Sequence, residues 1–201
     1  RMDIKHDKQG FSLIELIITM AIMAVFASAI IGAWSYMNAG KTKKASAKLN
    51  NEISNIQTAT MTQKGETYLY VYRTDEGVFS STVSTRKAEY KTRSELNSAL
   101  AAGNIDQTKI CDSSVSITGK KDAAGGSPSG GPATIRLDDS NMLKIGYSKG
   151  TGAFTYSNEG SVDAGKTKSE MPFYSLIEMS GKETFTIQMV KATGKHFVKK
   201  G

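Results

Sequence analysis

Apolar residues run almost without interruption from Phe11 to Trp34, and Glu15 is the only charged side chain among those 24 residues. At about 1.5 Å of rise per residue such a run makes roughly 36 Å of helix, enough to cross a bilayer. It therefore reads as a membrane segment or a targeting signal. Beyond Trp34 the pattern changes: Ala45, Leu49, Ile53 and Ile56 recur at spacings of four, four and three, the stripe of an amphipathic helix. If both patterns belong to one helix, it runs from residue 11 to about residue 61 and is about 75 Å long. Gly32 and Gly40 are its weak points, because glycine inside a helix costs about 1 kcal/mol relative to alanine.

The rest of the chain is patterned for strands. "TYLYVYR" alternates Tyr68, Tyr70 and Tyr72 with Leu69 and Val71, and "GVFSSTVST" is short and β-branched, both typical of half-buried strands. "SELNSALAAG" predicts a brief helix with Ser94 as N-cap and Gly103 as terminator. "AAGGSPSGG", residues 123–131, predicts a loop. "ATIRL", "MLKIGY" and "AFTYS", separated by "DDSN" and "SKGTG", predict a three-strand meander. Ile135, Leu137, Leu143, Ile145, Tyr147, Phe154 and Tyr156 would share its buried face. "ETFTIQMVK" adds a fourth strand with Phe185, Ile187 and Met189 at period two. The helix stripe thus has a sheet to pack on.

Charge divides the chain in the same way. The net charge is +7; losing residues 1–10 would remove Arg1, Lys5 and Lys8 against Asp3 and Asp7 and leave +6, so basicity belongs to the body. Such a balance favours acidic surfaces, although a solvated basic face is its commoner cause. Tyr68, Tyr70 and Tyr72 beside basic residues could stack on DNA bases, but an aromatic sheet core is the simpler reading. Lys41, Lys43, Lys44 and Lys48 follow the apolar run as a solvated helix face, with acidic lipid headgroups as an alternative contact. Their number means that the positive-inside rule alone does not place the body outside the membrane. Cys111 is the single cysteine and excludes an intramolecular disulfide; a small buried apolar role is expected.

Enzyme chemistry finds little support. Gly160, Gly165, Lys166 and Thr167 fit the phosphate-cradling G-x-x-x-x-G-K-[ST] pattern, but that loop must open a helix. Pro172 follows too soon, and Asp163 puts a negative charge inside the cradle. The two histidines are His6 and His196, too few for a multi-histidine metal site. His196 is expected in an exposed tail, and Asp138 and Asp139 in a turn. No catalytic residue, cofactor or metal site is expected.

Glu15 remains to be explained. A carboxylate in mid-membrane costs about 2.5 to 3.5 kcal/mol on insertion scales and calls for a partner. No Lys, Arg or His occurs between Phe11 and Lys41. The partner must come from another molecule or from processing. A cut between Gly10 and Phe11 would create a positive α-amine four residues from Glu15, within the chain or on a neighbouring subunit, and so fix the axial stagger of an otherwise featureless apolar bundle.

"KQG" followed by "FSLIELIITMAIMAVFA" resembles the N-terminus of type IV pilins and pseudopilins. The resemblance covers about residues 8–35. It implies cleavage after Gly10 by a membrane prepilin peptidase, N-methylation of Phe11, and Glu15 as the assembly glutamate. It also implies an α+β, lollipop-like fold, in which a long N-terminal helix packs its second half on an antiparallel sheet. Residues 1–10 would be the leader, 11–34 the membrane-spanning and assembly half-helix, 35–62 the amphipathic half-helix and 63–201 a β-rich body. Many family members carry a proline late in the apolar segment; Gly32 stands there instead and could allow local melting. Many Gram-negative major pilins close a C-terminal loop with two cysteines, whereas the lone Cys111 suits a Gram-positive or pseudopilin relative.

The function expected from this resemblance is structural: a single-pass cytoplasmic membrane protein that is extracted into a surface pilus. Its partners would be copies of itself, other pilins, the peptidase, a membrane platform protein and an assembly ATPase. The alternative in the same class is a pseudopilin of a type II secretion or competence system. Outside the class stand a secreted protein cut at "ASA", Ala27 to Ala29, and a single-pass anchored binding domain. Glu15 and the apolar "IIGAW" beyond that cut count against the signal peptide.

Overall fold

The computed structural model describes residues 12–63, 65–121, 134–159 and 172–201, with the side chains of residues 29–39 outside the description. The chain divides into two compact units, Arg1–Asn38 and Ala39–Gly201. One helix, α1 (Leu13–Thr62), contributes to both. It continues without a break through Gly32 and Gly40, as the joined apolar and amphipathic patterns predict.

In the second unit, ten strands among the described residues form two five-stranded sheets. The first contains β1 (Thr67–Thr74), β2 (Gly77–Ser84), β3 (Thr108–Cys111), β6 (Met142–Tyr147) and β7 (Phe154–Asn158) in the order β3-β2-β1-β6-β7. The second contains β4 (Ser116–Lys120), β5 (Thr134–Arg136), β8 (Leu176–Ser180), β9 (Thr184–Met189) and β10 (His196–Lys200) in the order β10-β9-β8-β4-β5. Pairing between these strands is antiparallel throughout.

The helix stripe is buried as its spacing predicts: Ala45, Leu49, Ile53 and Ile56 are at most 1% exposed. They join one core with Leu69, Val71 and Ile145 of the first sheet and Ile117, Ile177 and Ile187 of the second. Each buried aliphatic side chain in such a core contributes about 1.5 to 3 kcal/mol relative to exposure. The period-two alternation of β1 sends its tyrosines to the opposite face, where Tyr68, Tyr70 and Tyr72 pack with Phe79, Met142 and Tyr156. A second helix, α2 (Arg93–Ala101), covers that face through Leu96.

The predicted meander is divided between the sheets. β5 pairs with β4 in the second sheet, while β6 and β7 form a hairpin in the first. Asp138 carries the chain across by accepting the N–H groups of Ser140 and Asn141 at 2.8 and 3.2 Å, the behaviour of an Asx turn. The strand over 184–189 exists, with Phe185, Ile187 and Met189 buried, but it too lies in the second sheet. Tyr156 does not share the face of Phe154. The register shifts between Gly146 and Tyr147, and a one-residue slip moves a side chain to the other face.

The α2 N-cap is Thr92 rather than Ser94, with a full capping box to Glu95. Gly103 follows its end at φ +70°, a left-handed conformation that suits glycine. The loop predicted at 123–131 lies outside the described residues.

Candidate functional site

Leu13 and Ile14 open α1, and Ser12 precedes them with its carbonyl accepting the Leu16 N–H at 3.2 Å. Ser12 is thus the N-cap and Glu15 the third helical residue, the spacing at which a glutamate reaches back to the cap. It does so here: the Ser12 N–H donates to Glu15 Oε2 at 3.4 Å. Glu15 also stands in the first turn, where the positive end of the helix dipole favours a carboxylate.

Every residue from Ser12 to Ser28 is exposed. Large apolar side chains occur at consecutive positions: Leu16, Ile17 and Ile18 are 51%, 56% and 52% exposed. A helix that is apolar on all sides, unlike one with a single stripe, is stable only when surrounded by apolar material. Its hydroxyls are already satisfied internally, since Thr19 donates to the Leu16 carbonyl at 2.9 Å and Ser28 to the Val25 carbonyl at 2.8 Å. Glu15 is then the only charge that such surroundings would have to accommodate between Ser12 and Ser28.

Gly10, Phe11 and the leader lie outside the described residues. Gly32 falls within α1. Among the described residues no helix is long and apolar enough to cross a membrane; the span expected over 11–34 includes side chains beyond residue 28 that lie outside the description.

The body offers other polar groupings. Lys41, Lys44, Lys48 and Lys109 line a cleft of about 290 Å³ with Cys111 and Asp112. Asp112 balances part of that charge, pairing with Lys109 at 3.2 Å and Lys41 at 3.8 Å. Cys111 is buried and reduced, and burial pushes its thiol up to about 11. His196 is not in an exposed tail: it opens β10, with Nε2 2.9 Å from Ser54 Oγ and Nδ1 3.1 Å from the Tyr147 hydroxyl. Its place at the strand start brings the ring onto α1, which sequence proximity to the C-terminus concealed.

Among the described residues no group of three or more His, Cys, Asp or Glu side chains could hold a metal ion. The phosphate-loop pattern at residues 160–167 lies outside the described residues. Periodicity does not single out Lys144, a fully buried lysine in "MLKIGY"; its one signal is a charge in the middle of an apolar strand.

Residues 5–31 match the family model of the prokaryotic N-terminal methylation motif, the signature of type IV pilin and pseudopilin prepilin-type sequences. No curated protein and no solved structure matches the chain. The matched segment contains Glu15 and most of the apolar run, and it is a mark of structural proteins rather than enzymes.

Proposed function

We propose that this chain, bearer of a prepilin-type signature, is the structural subunit of a type IV pilus. It is held in the cytoplasmic membrane by residues 11–34, cut after Gly10, methylated at Phe11 and polymerised into a surface filament through its apolar half-helix. The observation that carries this reading is the all-round apolar surface from Leu13 to Phe26, headed by a single carboxylate. That surface needs lipid on one occasion and other helices on the next. Transfer from lipid to a filament gains much less than the roughly 25 cal/mol per Å² available on leaving water, so extraction requires an energy source, supplied in this family by an assembly ATPase and platform protein.

Glu15 is the registering group, paired with the α-amine of a neighbouring Phe11. Gly32 is the point at which the helix can loosen on assembly. The body contributes the filament's outer surface. Substituting Glu15 by alanine is expected to leave cleavage intact and abolish filaments in sheared surface fractions; normal filament yield would refute the registering role.

The pseudopilin reading shares every step up to polymerisation, and the lone Cys111 favours it over a disulfide-closed major pilin. Filament length separates the two. Long surface fibres support the pilus, whereas a secretion or DNA-uptake defect without fibres supports the pseudopilin.

A further inference from the structure

Lys144 is 0% exposed in the middle of β6, on the tyrosine face of the first sheet. Its ammonium lies 4.5 Å from the Tyr68 ring centroid and 4.0 Å from that of Tyr156. Glu89 accepts a hydrogen bond from Nζ at 2.6 Å. Directly across the β6–β7 pair stands Asn158, also 0% exposed. Residues so placed in an antiparallel pair project from the same face, with Cβ atoms about 4.5 to 5.5 Å apart. Tyr156, against which the ammonium rests, is two residues from Asn158 on the same strand and face. The amine and the carboxylate are thus hydrogen-bonded beside two aromatic rings, with a buried carboxamide at the position directly across the strand pair.

The geometry points to an intramolecular amide cross-link between Lys144 Nζ and Asn158 Cγ, formed by the chain itself with Glu89 as proton carrier. Lys144 first passes a proton to the Glu89 carboxylate along their hydrogen bond. The neutral Nζ then attacks Cγ of Asn158, forming the new C–N bond. The second amine proton moves to the departing amide nitrogen as the Cγ–Nδ2 bond breaks and ammonia leaves. Glu89 returns its proton to that ammonia, so one lysine ammonium and one carboxamide become one secondary amide and one ammonium ion. No oxidant, nucleotide or metal is consumed.

Two physical arguments favour the reaction. It removes the cost of holding the ammonium out of water, and the Glu89 carboxylate that loses its partner is 37% exposed and can be solvated. Its other product escapes by the same opening to solvent beside the reacting nitrogen. The bond would tie β6 covalently to β7, the last strand in the order of the first sheet.

The test is peptide mass mapping of the full chain from cells that make it naturally. The expected result is a mass lower by one ammonia and a branched tryptic peptide in which residues 137–149, uncut at Lys144, are joined to residues 150–166. Separate peptides with cleavage after Lys144 would overturn the proposal. So would a missing ammonia without a branched peptide, at a site that hydroxylamine converts to a hydroxamate, which marks a cyclic imide instead. Glu89→Gln is expected to fold with the same circular dichroism and to regain the lost ammonia. Complete cross-linking in that variant would overturn the role of Glu89.

Discussion

The backbone N–H of Ser12 donates to the Glu15 carboxylate at 3.4 Å, so within one chain the lone charge of the apolar run closes the first turn of its own helix. The same Ser/Thr-x-x-Glu spacing builds the box at α2, where Thr92 and Glu95 bond reciprocally. Magnitudes show why capping does not fully account for Glu15. A carboxylate in the first turn gains about 0.3 to 1 kcal/mol, less than the roughly 2.5 to 3.5 kcal/mol that a charge costs at the centre of a membrane helix. The shortfall is what an intermolecular amine would supply.

Glu15→Gln separates the two roles. Glutamine keeps an acceptor for the Ser12 N–H but carries no charge, so cleavage and helix formation should persist while filament yield falls to background. Electron microscopy of sheared fractions beside the mature N-terminal sequence checks this. Wild-type filament numbers would mean that capping, not charge, is what the position requires.

Leu49 is fully buried where α1 meets the sheets. Leu49→Ala should lower the unfolding free energy of the second unit by about 2 to 5 kcal/mol. At the exposed Lys43, alanine should change it by less than about 0.5 kcal/mol. Urea unfolding followed by circular dichroism measures both.

Gly77 turns the chain from β1 into β2 at φ +136°, and a Cβ there would lie 2.2 Å from the Cys111 carbonyl oxygen. The dihedral alone costs an L-residue on the order of 1 to 3 kcal/mol, and the collision is with backbone that cannot turn aside. Gly77→Ala should therefore be recovered unfolded or at far lower yield, whereas Gly103→Ala, whose Cβ meets nothing within 4 Å, should remain folded with a modest loss. Comparison of soluble yields and melting curves decides it.

Burial raises the Cys111 thiol from 9.0 to about 11. Since the folded state holds that proton more tightly than the unfolded chain, the thiol's effect on stability is absent below pH 9.0 and turns unfavourable as pH rises toward about 11. The folded protein should accordingly react with a thiol reagent much more slowly than the urea-unfolded chain near neutral pH. Equal rates would contradict the buried placement.

The parts of the fold governed by local periodicity were legible in the sequence. The spacing of Ala45, Leu49, Ile53 and Ile56 marked the helix face, and the alternation of Tyr68, Tyr70 and Tyr72 marked a two-sided strand. The allocation of strands to sheets was not legible. The turn at Asp138 would join a hairpin equally well, and it is the pairing of Thr134–Arg136 with Thr118–Lys120 that places β5 elsewhere. Thr92 was missed because Ser94 is also a good cap, and the choice depends on which residue has Glu three positions later. His196 and Lys144 were concealed for a common reason: their partners, Ser54 and Glu89, are distant in sequence. The methylation motif that contains Glu15 was legible because it is carried by consecutive residues.

On the proposed function the carboxylate of Glu15 awaits an amine made by processing, and the N-terminus of the mature chain reveals whether that amine exists. Terminal sequencing and intact mass of protein from cells that make it naturally should give a chain beginning at N-methylated Phe11. A chain beginning at Ile30, after "ASA", would show that Glu15 is discarded with a signal peptide and would contradict the filament account.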